Sequence, residues 1–338
     1  MTKVLILGGT AWLGRLIARE WLDSGAEVTC LARGSSGSVP DGAVLVSVDR
    51  TQPRAYSAVA TEQWDEIVEL AWDPALVTGA LDALADRTRH WTLVSSVSVY
   101  ADATTVGADE SAPLLVADDP SEYGKAKVAA EQVSAEALGG RLLIIRPGLI
   151  VGLGDGSDRF GYWPARFALA QEGSVLVPPL EGAWAQVIDA ADLAAFVRRA
   201  GGAGETGAVD AVGEPIPLRD LLLEAADVAG FTGELAEASA AHLLDAGVAY
   251  WAGPRSLPLW LPADMPGFGR RSHAAYDRAG GRLRPLRDTL VRTLDDERAR
   301  GLDRDRRSGL THTEELAVLA MLDEPRDLPP GAEQTARR

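Results

Sequence analysis

The sequence predicts an α/β fold: a doubly wound parallel sheet followed by a smaller C-terminal region. Two observations carry this. Short apolar runs alternate with helical patterns through the first half of the chain, at 3–7, 27–31, 43–48, 66–70, 91–95 and 141–145, with helical stretches near 12–24, 73–86 and 123–137. Such alternation places a parallel sheet between two helical layers. The first apolar run also meets a glycine turn at once, and a helix follows it.

That turn reads Gly8-Gly9-Thr10-Ala11-Trp12-Leu13-Gly14 between Lys3–Leu7 and an amphipathic stretch from Arg15 to Leu22. Strand, glycine turn and helix form the context that a dinucleotide pyrophosphate needs. Glycine admits the backbone close to the phosphates, and the helix N-terminus attracts their charge. The expectation is a Rossmann-type nucleotide-binding domain over residues 1–150. Beyond it, a mainly substrate-binding region spans 151–323, with segments near 186–215 returning to the first domain. Pro, Gly and Trp recur from 152 to 184 and from 251 to 269, as in loops and short helices. Leu286–Arg300 and 313–322 have helical patterns, and 324–338 is a polar, proline-containing tail.

The active-site candidates lie on the third helical stretch. Tyr123 and Lys127 are four residues apart, so a helix puts them on one face. A free phenol titrates near ~10 and exchanges protons poorly at neutral pH, but a fixed cation favours its ionised form. The spacing is a way to build an acid/base tyrosine. Taken alone, it also fits a surface helix with a snorkelling lysine.

Together these segments resemble the extended short-chain dehydrogenase/reductase superfamily, in its NAD-dependent epimerase/dehydratase branch. Gly8 and Gly14 match the first and third glycines of the family's turn, with Ala11 at the second. Val94-Ser95-Ser96-Val97-Ser98-Val99-Tyr100 resembles its serine segment. Tyr123-Gly124 with Lys127 and Glu131 resembles its active-site helix. Arg146-Pro147 with Gly152, Gly154 and Asp155 resembles its Arg-Pro-x-x-x-x-Gly-x-Gly-Asp segment.

The resemblance implies Ser96 as the hydroxyl that orients the substrate oxygen, although Ser95 and Ser98 stand nearby. It implies Tyr123 as proton donor or acceptor, and Lys127 as the cation that lowers the tyrosine pKa and holds the nicotinamide ribose. Thr10, Ala11, Trp12 and Leu13 join the two glycines at the pyrophosphate. Leu70 and Ala71 stand after the fourth strand, and Pro147, Gly148, Leu149 and Ile150 hold the carboxamide. Glu131 is read as structural.

The second strand ends Leu31-Ala32-Arg33. An acid in place of Ala32 would accept bonds from an NAD ribose, whereas Arg33 can pair with a 2′-phosphate. The expectation is a preference for NADP(H), with NAD(H) possible. Asp49 is expected at the adenine amine. Arg50 is either stacked on the adenine or solvated.

Nucleotide-sugar relatives carry an arginine where this chain has Ala185. Arg159 and Arg166 are alternative cations with nothing to aim them. Trp72, Val97, Phe160, Trp163, Trp184, Trp251 and Trp260 suggest an aromatic, largely apolar substrate pocket. Several of these side chains fit core packing as well; Trp72 is the preferred pocket tryptophan.

The reading is an NADP(H)-dependent oxidoreductase that interconverts a carbonyl and an alcohol on a small or medium organic substrate. The alternative is a nucleotide-sugar epimerase or dehydratase. A non-catalytic dinucleotide-sensing regulator would need the glycine turn but not the tyrosine apparatus. A net charge of -16 disfavours nucleic-acid and anionic-membrane partners. Cys30 is the only cysteine, so no intrachain disulfide forms, and the four histidines are scattered, with no metal site expected. No apolar run reaches membrane-spanning length, and a cytoplasmic protein is expected. Relatives often dimerise through the helix after the fourth strand and the tyrosine helix; 74–84 fits that role or an internal core.

Overall fold

The computed structural model describes residues 1–323, so the 324–338 tail lies outside the described residues. The central sheet has seven strands. They are β1 (Lys3–Leu7), β2 (Glu27–Ala32), β3 (Val44–Ser47), β4 (Trp64–Glu69), β5 (Thr88–Val94), β6 (Leu142–Pro147) and, far along the chain, Gly207–Ala211. Every pairing among them is parallel, in the order Gly207–Ala211, β6, β5, β4, β1, β2, β3. The order reverses between β1 and β4. At such a switch point the loops diverge to opposite faces and leave a crevice at the carboxyl ends.

Helices cover both faces. On one, α1 (Trp12–Asp23) and the helix Ala190–Ala203 pack over Val4, Ile6, Val28, Val68 and Ile145. On the other, α2 (Pro74–Leu84) and α3 (Tyr123–Leu138) pack side by side. There, Val77, Ala80, Leu81 and Leu84 are buried with Leu5, Leu7, Trp91 and Leu93. The apolar side of α2 is therefore core within one chain. Asp73 caps α2 by accepting from the Ala75 N–H at 2.9 Å, and Pro74 begins the helix where a missing N–H costs least.

The segment from 190 to 211 returns to the nucleotide-binding sheet. Asp189 caps the returning helix through the Ala191 N–H at 2.8 Å. The other core lies among later segments, where Trp163, Phe167, Leu176, Leu221 and Leu257 are buried together. The helices Leu286–Arg300 and His312–Asp323 close the described chain. Among the described residues, no helix is long and apolar enough to cross a membrane.

Candidate active site

The glycine turn sits at the end of β1. Gly8 has φ +109°, a conformation that L side chains resist. A Cβ on Gly14 would lie 2.4 Å from the Gly8 carbonyl oxygen, so glycine there lets α1 start tight against the turn. Ala11 stands at the helix N-cap with φ -77° and an exposed side chain. No side chain caps α1 and no acid lies in its first turn. Its first N–H groups, with no capping side chain, suit an anion.

Two hollows join at this turn. One, of about 390 Å3, runs along the ends of β1, β2 and β3 past Gly8, Thr10, Arg33, Asp49 and Ala71. The other, of about 560 Å3, runs past Trp12, Leu13, Gly14, Lys127 and the Pro147–Gly148–Leu149–Ile150 segment to Tyr123. They share Ala11 and Leu70, and so form one elongated crevice across the switch point. An uncapped helix start, a cradle that a Cβ at Gly14 would fill and an elongated crevice together fit a dinucleotide.

Within the first hollow, Arg33 is exposed and free to meet an anion. Asp49 accepts from the Thr51 N–H at 3.0 Å and its hydroxyl at 2.8 Å, which holds its carboxyl below the usual range. Arg50 corrects the expectation. Its guanidinium forms a two-pronged pair with Glu69 and also donates to the Tyr56 hydroxyl and the Leu76 carbonyl. It lines the first hollow with its guanidinium nearly buried and fully engaged, so it does not stand in solvent.

Tyr123 is the first residue of α3, and Gly124 sets its position. A Cβ on Gly124 would fall 2.3 Å from the Ser98 carbonyl oxygen. Glycine there lets α3 press onto the turn Val97–Val99, which carries Ser96 at its N-cap. The Tyr123 ring is half exposed, 6.3 Å from the Trp72 ring between centroids. Burial of its hydroxyl pushes the phenol up, while the neighbouring Ser96 hydroxyl and the charge of Arg159 pull it down.

Lys127 corrects a second expectation. Its ammonium donates to the Val94 carbonyl at 2.6 Å and the Ala71 carbonyl at 3.1 Å. It is buried on the floor of the crevice, and burial brings its pKa down to about 8. The charge of Arg159 favours the ionised phenol, while the Lys127 ammonium is turned to the two backbone carbonyls. Sequence spacing missed this because a shared helix face does not say which way a long side chain bends.

The three serines divide their duties. Ser95 donates to Glu131 at 2.5 Å, and Glu131 takes two bonds from Arg146. That buried cluster ties α3 to β5 and β6, in keeping with a structural Glu131. Ser96 accepts from the Ser98 N–H at 3.1 Å and donates to the Ser98 hydroxyl at 3.1 Å. Ser96 and Ser98 both line the crevice beside Tyr123, as does Val97.

The aromatic residues separate into two groups. Phe160 and Trp163 are wholly buried in the C-terminal core, and Trp163 donates to the Pro258 carbonyl at 2.9 Å. They are packing residues, not pocket walls, because their helix start faces the core rather than the crevice. Arg166 is likewise buried, paired with Glu315. Trp251 lines the crevice, with Arg159 over its ring and Phe268 edge-on to it at 5.4 Å. Trp184 and Trp260 line a separate cavity behind the crevice, and Trp72 faces the first hollow.

Phe268, Ser157 and Arg307 line the crevice unforeseen. Arg307 arrives from the loop between the helices Leu286–Arg300 and His312–Asp323, its backbone N–H held by Asp158 at 2.8 Å. Only Asp155, in the Gly-Asp segment, carried a signal: its buried carboxyl, pushed up by desolvation, accepts from the Ser157 N–H at 2.7 Å. Among the described residues, no cluster of His, Cys, Asp and Glu could hold a metal ion.

An open parallel sheet with a Gly-rich turn and a crevice at its switch point is a Rossmann-type fold. Residues 4–86, which include the glycine turn, match the model of the NAD dependent epimerase/dehydratase family. The chain is similar in fold to the UDP-Glc/GlcNAc 4-epimerase of Campylobacter jejuni, with a TM-score of 0.68 at 16% identity over 88% of this chain and 100% of that one. It is also similar to the UDP-glucose 4-epimerase of Thermus thermophilus in complex with NAD, with a TM-score of 0.63 at 20% identity over 88% and 99%. For the UDP-glucuronic acid 4-epimerase of Bacillus cereus in complex with NAD, the values are 0.66 and 13% over 88% and 99%. No curated protein matches this sequence.

Proposed function

We propose that this protein is an NAD(P)-dependent enzyme whose chemistry opens with hydride transfer at a substrate carbinol or carbonyl carbon. The observation that carries the reading is the meeting of Tyr123, Ser96 and Arg159 in one crevice with the glycine turn and Lys127. A bound nicotinamide dinucleotide supplies the hydride donor or acceptor. Tyr123 takes the hydroxyl proton when the substrate is oxidised and returns it when the carbonyl is reduced. Ser96 orients that oxygen, and Arg159 favours the ionised phenol. Lys127 holds ribose hydroxyls on the crevice floor.

The reaction has two completions. In an epimerase or dehydratase the redox state is restored within one turnover, and the family match over residues 4–86 favours this reading. In a net reductase the carbonyl is reduced and released. Ala185 at the position of the diphosphate-gripping arginine favours that second reading and a substrate other than a nucleotide sugar. Absorbance of the reduced cofactor separates them: stoichiometric loss marks a reductase, and unchanged absorbance with product formed marks an epimerase or dehydratase.

The preferred cofactor is NADP(H), on the strength of exposed Arg33 and the absence of an acid at Ala32. For net turnover the test is kcat/KM with NADPH and NADH. For recycled cofactor it is the Kd of each dinucleotide. Arg33→Ala is expected to narrow the preference in either measure, and NADH or NAD at least as good as its phosphorylated counterpart in the native protein overturns it.

A further inference from the structure

A partly open pocket of about 350 Å3 lies behind the catalytic crevice. Its walls include Trp184, Tyr250, Trp260, Pro262 and Met265, and the exposed Glu181 is its one charged lining residue. The Tyr250 and Trp260 rings are 4.0 Å apart between centroids, and the outer face of Trp184 carries the Arg270 guanidinium at 5.1 Å. A narrow neck of about 20 Å3 stands between cavity and crevice. It shares Val97 and Leu149 with the crevice and Trp184 and Leu261 with the cavity.

The neck has no charged side chain in its walls. Its one side-chain amide, Gln186, is already engaged. It donates to the Gly213 carbonyl at 2.7 Å and the Arg271 carbonyl at 2.9 Å, and accepts from the Arg271 N–H at 3.0 Å. Two neck residues, Trp251 at φ +68° and Leu259 at φ +69°, hold left-handed backbone that side chains resist. Strain of this kind persists where surrounding structure imposes it, and functional sites concentrate it. A diphosphate crossing the neck would shed its water and meet neither cation nor free donor. An apolar link loses nothing there.

We propose that the cavity is a subsite for a flat, uncharged apolar group of the substrate. A short apolar link through the neck joins that group to the carbon that reacts at Tyr123. The proposal rests on the reading that Tyr123 handles the reacting oxygen. It narrows the substrate to a carbinol or ketone with an aryl or alicyclic arm, whose ring can pack offset against Trp184, Tyr250 and Trp260.

The test uses the full chain loaded with NADPH, with benzylacetone and acetone as probes and UDP as competitor. Affinity is read by quenching of tryptophan fluorescence, and turnover separately by loss of reduced cofactor. Benzylacetone is expected to bind at least about tenfold tighter than acetone, as burial of a phenyl ring implies, and UDP should not displace it. Ala240→Phe, which fills the cavity from the first turn of the helix Ala240–Asp245, should bring that ratio to about one by removing the burial. Leu261→Trp blocks the neck to the same end should the first variant not fold, and cofactor affinity reports folding in both. Equal affinity for the two ketones, displacement by UDP, or an unchanged ratio in a folded variant overturns the subsite. Ring-dependent binding without turnover leaves the subsite standing and counts against net reduction. Turnover without a ring preference does the reverse.

Discussion

The Arg159 guanidinium lies over the Trp251 ring, 5.4 Å from its centroid. The indole holds the side chain over the crevice, and desolvation there lowers the arginine's own pKa. Arg159 is therefore a poorly hydrated charge beside Tyr123, where its influence on the phenol is least screened.

Arg159→Met is expected to raise the Tyr123 pKa, because the variant removes a charge that favours phenolate. Alcohol oxidation needs the ionised tyrosine, so the rise of kcat/KM with pH should move to higher pH. Arg159→Lys should restore part of the shift. A pH profile that is unmoved in Arg159→Met would show that the charge does not reach the phenol.

Lys127 titrates at about 8 in the folded protein against 10.5 ordinarily. Above about 8 its ammonium is lost, so cofactor affinity should fall as pH rises through that value, and Lys127→Met should remove the inflection. The folded pKa is depressed for a base, so between the two values the unfolded chain holds more protons. Stability of the cofactor-free protein should therefore rise with pH across that interval, and urea denaturation at several pH values measures it.

Tyr123→Phe keeps the ring beside Trp72 and deletes the hydroxyl. Loss of proton transfer should lower kcat by roughly 10²–10⁴-fold with cofactor affinity unchanged. Near-native turnover would remove Tyr123 from the chemistry.

Trp163→Ala should act on stability alone. Its side chain is fully buried in the C-terminal core, and such truncations cost about 3–5 kcal/mol. Per folded molecule, kcat/KM should stay within a few-fold. Trp251→Ala, on the crevice wall, should do the opposite. Denaturant midpoints paired with steady-state kinetics separate the two.

Glu69→Gln tests the buried pair under the adenosine end of the crevice. It leaves the Arg50 charge without its counter-ion, and a broken buried pair costs about 3–5 kcal/mol. Urea denaturation should show that loss. A variant as stable as the native protein would mean that Arg50 can be solvated, as one sequence reading allowed.

Residues close in sequence determined much of this protein. The short apolar runs, the helical patterns between them and the glycine turn located β1 to β6 and α1 to α3, since those signals come from local backbone geometry. Gly8 and Gly14 were readable as candidate turn residues from their place between strand and helix, and Tyr123 from its spacing to Lys127, whereas only the family resemblance singled out Ser96 from Ser95 and Ser98. Tertiary structure alone decided where long and bulky side chains went. It sent Arg50 to Glu69, Lys127 to the Val94 carbonyl, and Phe160 and Trp163 into a core. It also brought Arg159, Phe268 and Arg307 to the crevice from separate later loops. A side chain with several rotatable bonds chooses its partner by desolvation and charge from the whole fold, and such partners here lie up to 162 residues away along the chain.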